Sequence, residues 1–183
     1  MAVQLKRWSR QEYDKMIDAG VFAEDERVEL LEGEIVQVAA QHAGHATGAQ
    51  AAEEALRLAY GTGFTIRTQL PLIVGPDSEP EPDVAVVRGH WRQFRTAHPS
   101  SALLVVEISD SSLDVDRHRR GRIYARAGIP EYWIVNLIDR VVEVYRDPRP
   151  DAGYGTRLVL GAALTITPLT VPSATIAVLD LLP

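Results

Sequence analysis

The sequence predicts a mixed α/β (α+β) domain built on one central sheet. Three observations carry that expectation. Helix-period and strand-period segments follow one another as helix, hairpin, helix, several strands, helix and strands. Two continuous apolar runs, Val84–Val87 and Leu103–Val106, have the pattern of strands buried on both faces. The 183 residues, 46% of them apolar, suffice for a single sizeable core, so one domain is expected over residues 1–183.

Residues 9–18 (SRQEYDKMID) form the first expected helix, with Ser9 and Glu12 in a capping-box spacing and Gly20 as its stop. RVELL and EIVQVA are two short strands joined at Glu32-Gly33, a hairpin signal. The polar stretch AQHAGHATG leads into a second helix at about 46–60, where Ala52, Ala55, Leu56 and Ala59 recur at helical spacing. FTIRTQ and LPLIV are two further short strands, followed by the acidic, proline-rich loop GPDSEPEP. That loop runs into Asp83 and the strand Val84–Val87. Residues 88–100 are a polar, arginine-bearing loop, and the next strand, Leu103–Val106, ends at Glu107. A helix over 113–127 stops at Gly128 and Pro130. YWIV and RVVEVY are strands about a turn at 136–139, and residues 151–183 read as short strands and turns.

Composition narrows the function. No apolar run reaches the length of a membrane span, and MAVQLKRWSRQEYD lacks the apolar segment of a secretory signal. With no cysteine there are no disulfides or thiolate metal sites, which fits a cytoplasmic location. The net charge of −6 brings no general attraction to nucleic acid, so any such binding needs a local basic patch. Of the basic residues seventeen are Arg and two are Lys, and both lysines, Lys6 and Lys15, lie near the N-terminus. There is no GxxxxGK[ST] loop, no HExxH and no GxSxG. His42 and His45 have i, i+3 spacing but no evident third ligand beside them.

Two carboxylates stand out. Glu107 follows four aliphatic residues, and Asp83 enters its strand directly after Glu81-Pro82. A carboxylate in such surroundings is costly unless it is neutral, paired or metal-bound. A hard cation such as Mg²⁺ would relieve the mutual repulsion of two acids at the mouth of one sheet. Salt bridges from nearby arginines would do so equally, and pattern alone leaves both readings open.

EPDVAVV, followed by LLVVEISDSS, resembles the core of the PD-(D/E)XK nuclease superfamily. Together with RVELLEGEIV and YARAGIPEYWIVN, these segments resemble the Uma-type restriction endonuclease family over residues 8–146. The resemblance implies a restriction-endonuclease-like central mixed sheet flanked by helices, with an N-terminal helix and hairpin. It implies Asp83 and Glu107 as catalytic ligands of Mg²⁺ or Mn²⁺, with the Ile108 carbonyl completing the set, and Glu29 and His45 as supporting positions.

The superfamily's lysine would stand two residues after the acid, where this sequence has Ser109. In the Uma-type family it sits on the following helix, at the position of Arg120. Asp116, Arg120 and Tyr124 share one helix face by their i, i+4, i+8 spacing. An arginine there can stabilise phosphate charge but cannot serve as a base. Pairing with Asp116 alone is the plainer role, and the two are compatible.

The same helix carries Arg117, Arg119, Arg122 and Arg126 with His118. These residues could hold nucleic-acid phosphates, with Trp91 in the 88–100 loop stacking on a base. They could equally be a solvated face balanced by Asp110, Asp114 and Asp116, with Trp91 a plain surface residue. Tyr132 and Trp133 are expected in the core or in a dimer contact, and the hairpin 132–145 is the expected surface for a homodimer. Two functions follow: an Mg²⁺-dependent endonuclease acting on DNA, or a cleavage-impaired nuclease-like fold that binds nucleic acid or protein.

Overall fold

The computed structural model describes residues 3–38 and 40–183. Helix α1 (Arg10–Asp18) starts at Ser9, whose hydroxyl and backbone exchange hydrogen bonds with Glu12 in a complete capping box. Strands β1 (Val28–Leu31) and β2 (Glu34–Gln37) pair antiparallel. Their turn needs positive φ at both central residues, 50° at Glu32 and 76° at Gly33. Residue 39 of the expected second strand lies outside the described residues. Helix α2 (Ala43–Tyr60) begins three residues earlier than its apolar spacing suggested, inside the polar stretch.

A six-stranded mixed sheet follows, in spatial order β3 (Phe64–Thr68), β4 (Val84–Arg88), β5 (Leu104–Ser109), β6 (Glu131–Asn136), β7 (Val141–Arg149) and β8 (Gly153–Gly161). All neighbours are antiparallel except β5 and β6, which are parallel. A parallel pair requires a crossover, and the helical segment Leu113–Arg126 supplies it. Short strands β9 (Thr165–Ile166) and β10 (Ile176–Ala177) form a small separate sheet.

Alternation along the strands divides the core. Val84, Val86, Val106, Ile108 and Trp133 face α2 and the C-terminal segment. Ala85, Val87, Val105, Tyr132 and Ile134 face the crossover helix and the 70–74 segment. Tyr132 and Trp133 have no exposed surface, as do Ile134 and Val135. The hairpin 132–145 is therefore largely interior, and the pairing surface expected of it is spent on the monomer's own core.

Three expectations are corrected. Residues 70–74 are not a strand. Gln69 has a φ of 52°, which turns the chain away from β4, and Pro71 has no N–H to donate. Leu72, Ile73 and Val74 instead donate to the carbonyls of Pro80, Pro99 and Ser78. Strand β5 does not end at Glu107 but continues to Ser109, so the acid lies within a fully buried strand. The crossover is not a uniform helix. A π turn over Asp116–Arg120 interrupts it, closed by the Gly121 N–H on the Asp116 carbonyl.

Gly48 lets α2 approach β5, because a Cβ there would lie 2.9 Å from Cγ2 of the buried Ile108. Gly48→Ala is therefore expected to destabilise by about 1–3 kcal/mol through overpacking, despite alanine's better helix propensity. Thermal melting checks this, with a drop of about 2–4 °C per kcal/mol for a chain of this size.

Candidate active site

The β1–β2 hairpin, the start of α2, the adjoining ends of β4 and β5 and the π turn enclose a cavity of about 450 Å³. Glu29, His45, Asp83, Glu107, Ile108, Asp116 and Arg120 all line it. Antiparallel pairing of β4 with β5 sets Val84 opposite Val106, which brings the preceding Asp83 beside Glu107.

The two carboxylates are linked through the backbone. The Asp83 N–H donates to Glu107 Oε2 at 3.2 Å, and the Ile108 N–H donates to Asp83 Oδ2 at 2.8 Å. Asp83 Oδ1 lies 2.8 Å from His45 Nε2 and accepts from Gln69 Nε2 at 3.4 Å. Glu107 Oε1 accepts from the Tyr124 hydroxyl at 2.6 Å and from Arg120 Nη1 at 3.2 Å.

Arg120 reaches three acids from one guanidinium. Nη2 meets Glu29 at 2.7 Å, Nη1 meets Glu107, and Nε lies 3.3 Å from Asp116 Oδ1. Ser109 and Ser112 both donate to the other oxygen of Asp116, at 2.8 Å and 2.5 Å. The plainer role for Arg120, pairing with Asp116, is thus present, and it is one of three such pairs.

Charge in this cavity is under strain. Burial pushes the Glu107 carboxyl well above the usual carboxylate range; Arg120 pulls it back, while Asp83 and Asp116 add to the rise. Burial likewise raises Glu29 and Asp116, again opposed by Arg120. Arg120 itself is held charged: burial works against its proton, but Glu107, Glu29 and Asp116 outweigh it. The hydrogen bond to Asp83 raises His45, against its burial.

Among the described residues, no three acid or imidazole side chains converge tightly enough to form a metal cage by themselves. The available donor set is the Asp83 and Glu107 carboxylates with neighbouring backbone oxygen. That is a hard-oxygen set of the size Mg²⁺ uses, since Mg²⁺ keeps several waters and takes one or two carboxylates. Six acids among the described residues line the cavity, Glu29, Glu81, Asp83, Glu107, Asp110 and Asp116, against three arginines, Arg27, Arg119 and Arg120, an excess of carboxylates that a divalent cation suits.

The remaining candidates are dispersed. Arg119 is turned to the hairpin, donating to the Leu31 carbonyl at 2.7 Å and to Glu34 at 2.6 Å. Arg126 meets Glu32 at 2.8 Å, and Arg122 approaches the same acid at 3.8 Å. The acids that balance this helix are therefore mainly those of the hairpin. Arg117 leaves the cavity altogether for Glu143 on β7. Trp91 is exposed in a short turn beyond the far end of β4 from Asp83, about 17 Å of strand away, and does not line this cavity. Gln69 was missed because its approach to Asp83 depends on a left-handed backbone turn that the sequence does not signal.

The family model Uma2, described as "Putative restriction endonuclease", matches residues 10–179. Among solved structures, the fold is similar to that of a putative nuclease belonging to DUF820 from Anabaena variabilis. The TM-score is 0.73, with 94% of this chain and 96% of that chain covered, at 16% sequence identity. That likeness bears on the fold. No curated protein matches the sequence.

Removing one partner of a buried ion cluster leaves uncompensated charge. Arg120→Met is expected to cost about 3–5 kcal/mol near neutral pH. Glu29, Glu107 and Asp116 have raised pKa values, so the stability they contribute is present at low pH and lost as pH rises through those values. The deficit of the variant should therefore shrink from neutral pH to a mildly acidic one, as these acids take up protons. Urea midpoints of both proteins at the two pH values test this.

Proposed function

The chain belongs to the Uma2 restriction endonuclease family, and from that premise we propose that it is a metal-dependent endonuclease that hydrolyses phosphodiester bonds of DNA. The observation that carries the reading is the Asp83–Glu107 pair, two buried carboxylates joined at 3.2 Å through the Asp83 N–H and opening on one cavity. In this reading Asp83, Glu107 and the Ile108 carbonyl hold Mg²⁺ or Mn²⁺. Bound there, the ion would supply Lewis acidity to a phosphoryl oxygen and acidify a bound water.

The chain's own residues hold that arrangement in place. Ile108 N–H and His45 fix the two oxygens of Asp83. Tyr124 and Arg120 fix one oxygen of Glu107, leaving Oε2 on the Asp83 side. Glu29 and Asp116 hold the guanidinium, and Ser109 holds Asp116. Arg120 can offer positive charge to a phosphate but cannot take a proton from water.

One observation favours a second reading. Arg120 already serves three carboxylates, where the resemblance places a lysine. A cation so committed has little left for substrate, and the protein would then bind nucleic acid or protein without efficient cleavage.

Incubation with supercoiled plasmid and single-stranded DNA, with Mg²⁺ or Mn²⁺, separates the readings. Cleavage by the wild type should fall at least about a hundredfold in Asp83→Ala, since metal polarisation is worth several kcal/mol. Cleavage that survives this substitution sinks the endonuclease reading. An inactive wild type with activity gained in Arg120→Lys would establish the second.

A further inference from the structure

A second cavity, of about 370 Å³, lies on the other side of the crossover helix, between it and β7–β8. Its charge is the reverse of the first. Arg117, His118, Arg122 and Arg157 line it together with the rings of Tyr145 and Tyr154, and among the described residues no acid does. In a chain of net charge −6 this is a local basic site.

Beneath it sits Glu143, with no exposed surface. Arg117 grips its carboxylate through Nε and Nη2, with Nε–Oε distances of 3.1 and 3.2 Å. Arg157 does the same from β8, through Nε at 3.1 Å and Nη2 at 2.9 Å. Asn136 and the Tyr145 hydroxyl complete the shell, at 3.2 Å and 2.6 Å. Although burial favours its neutral form, hydrogen bonds from Arg117, Tyr145 and Asn136 hold Glu143 down to about 2, so it is a fixed anion. The two arginines bring one more positive charge than Glu143 removes.

The geometry of the grip matters. A guanidinium has five donors in a planar fork. Each arginine spends its Nε–Nη2 edge on Glu143, and neither Nη1 has a hydrogen-bond partner among the described residues. Two forks are thus held in place with one edge each unspent. Holding a fork rigid beforehand removes the ordering cost that binding would otherwise incur. The tyrosine hydroxyls point inward, Tyr154 to the Ile129 carbonyl at 2.9 Å, so the rings are what the cavity wall presents.

We propose that this cavity is a phosphate subsite for a nucleic-acid strand, in which Arg117 and Arg157, fixed by Glu143, hold a backbone phosphodiester. Arg122 adds charge and His118 a ring N–H at the rim, and Tyr145 and Tyr154 offer surfaces for a sugar or base. The subsite rests on the nuclease reading above. It places the strand across the helix that separates it from the carboxylate cavity, since Asp116, Arg119 and Arg120 line one side and Arg117, His118 and Arg122 the other.

The test is fluorescence anisotropy of a labelled single-stranded oligonucleotide on the full chain in EDTA, at several salt concentrations. Arg157→Gln should weaken binding about tenfold and lower the salt slope by about 1, while Arg57→Gln on α2 leaves both unchanged. A folded Arg157→Gln protein with wild-type affinity overturns the proposal. Should that variant fail to fold, the double substitution His118→Gln with Arg122→Gln, at two exposed positions, decides in the same way. Inorganic phosphate is titrated in parallel by calorimetry. Phosphate binding lost in Arg157→Gln, with oligonucleotide affinity unchanged, would mean a free-phosphate site and overturn the strand assignment. Because EDTA excludes metal, this result stands or falls separately from plasmid cleavage.

Discussion

One guanidinium organises the carboxylate cavity of this protein. Arg120 is the shared counter-ion of Glu29 from the hairpin, Glu107 from the central sheet and Asp116 from the crossover. Each of those acids is buried and, by burial alone, would prefer to be neutral. The arginine allows the hairpin, the central sheet and the crossover to converge without three unpaired charges. A buried ion cluster of this kind adds little net stability over a well-packed apolar one. Its effect here is positional, because it fixes where the carboxylates stand.

The π turn gives that cluster its geometry and divides the basic residues. Five successive residues, Asp116 to Arg120, pass through it. Arg120 and Arg119 emerge on the side of the hairpin and the carboxylates, and Arg117 on the side of β7 and β8. What looks in sequence like one basic stripe is two separate sets. One neutralises acids around the Asp83–Glu107 pair. The other, joined by Arg157, surrounds Glu143 and keeps spare donors. A carboxylate cavity and a basic cavity consequently stand back to back across a single helix.

Much of this was legible beforehand because its signals are local. The capping box at Ser9 and Glu12, the Glu32-Gly33 turn and the uninterrupted aliphatic runs each depend on a few neighbouring residues. The Asp83–Glu107 pair was legible for a related reason: each acid adjoins an apolar run, where a carboxylate is costly without a compensating partner. The segment 70–74 misled because its apolar character is real, but its hydrogen bonds go to loops at Ser78, Pro80 and Pro99. Glu143 gave no sign. In VVEVY it reads as the solvent side of an alternating strand, and its partners come from residues 117, 136, 145 and 157.

The sequence by itself determined the fold class, most of the order of elements and the two acids beside apolar runs, since periodicity, turn chemistry and desolvation cost act over short stretches of chain. Only the tertiary structure decided which cation answers which acid. That choice depends on side-chain reach between elements up to 94 residues apart, as between Glu32 and Arg126. It also depends on a helical turn whose altered pitch leaves no mark in composition. The carboxylate pair is thus a sequence feature, and the arginine network that surrounds it is a property of the fold.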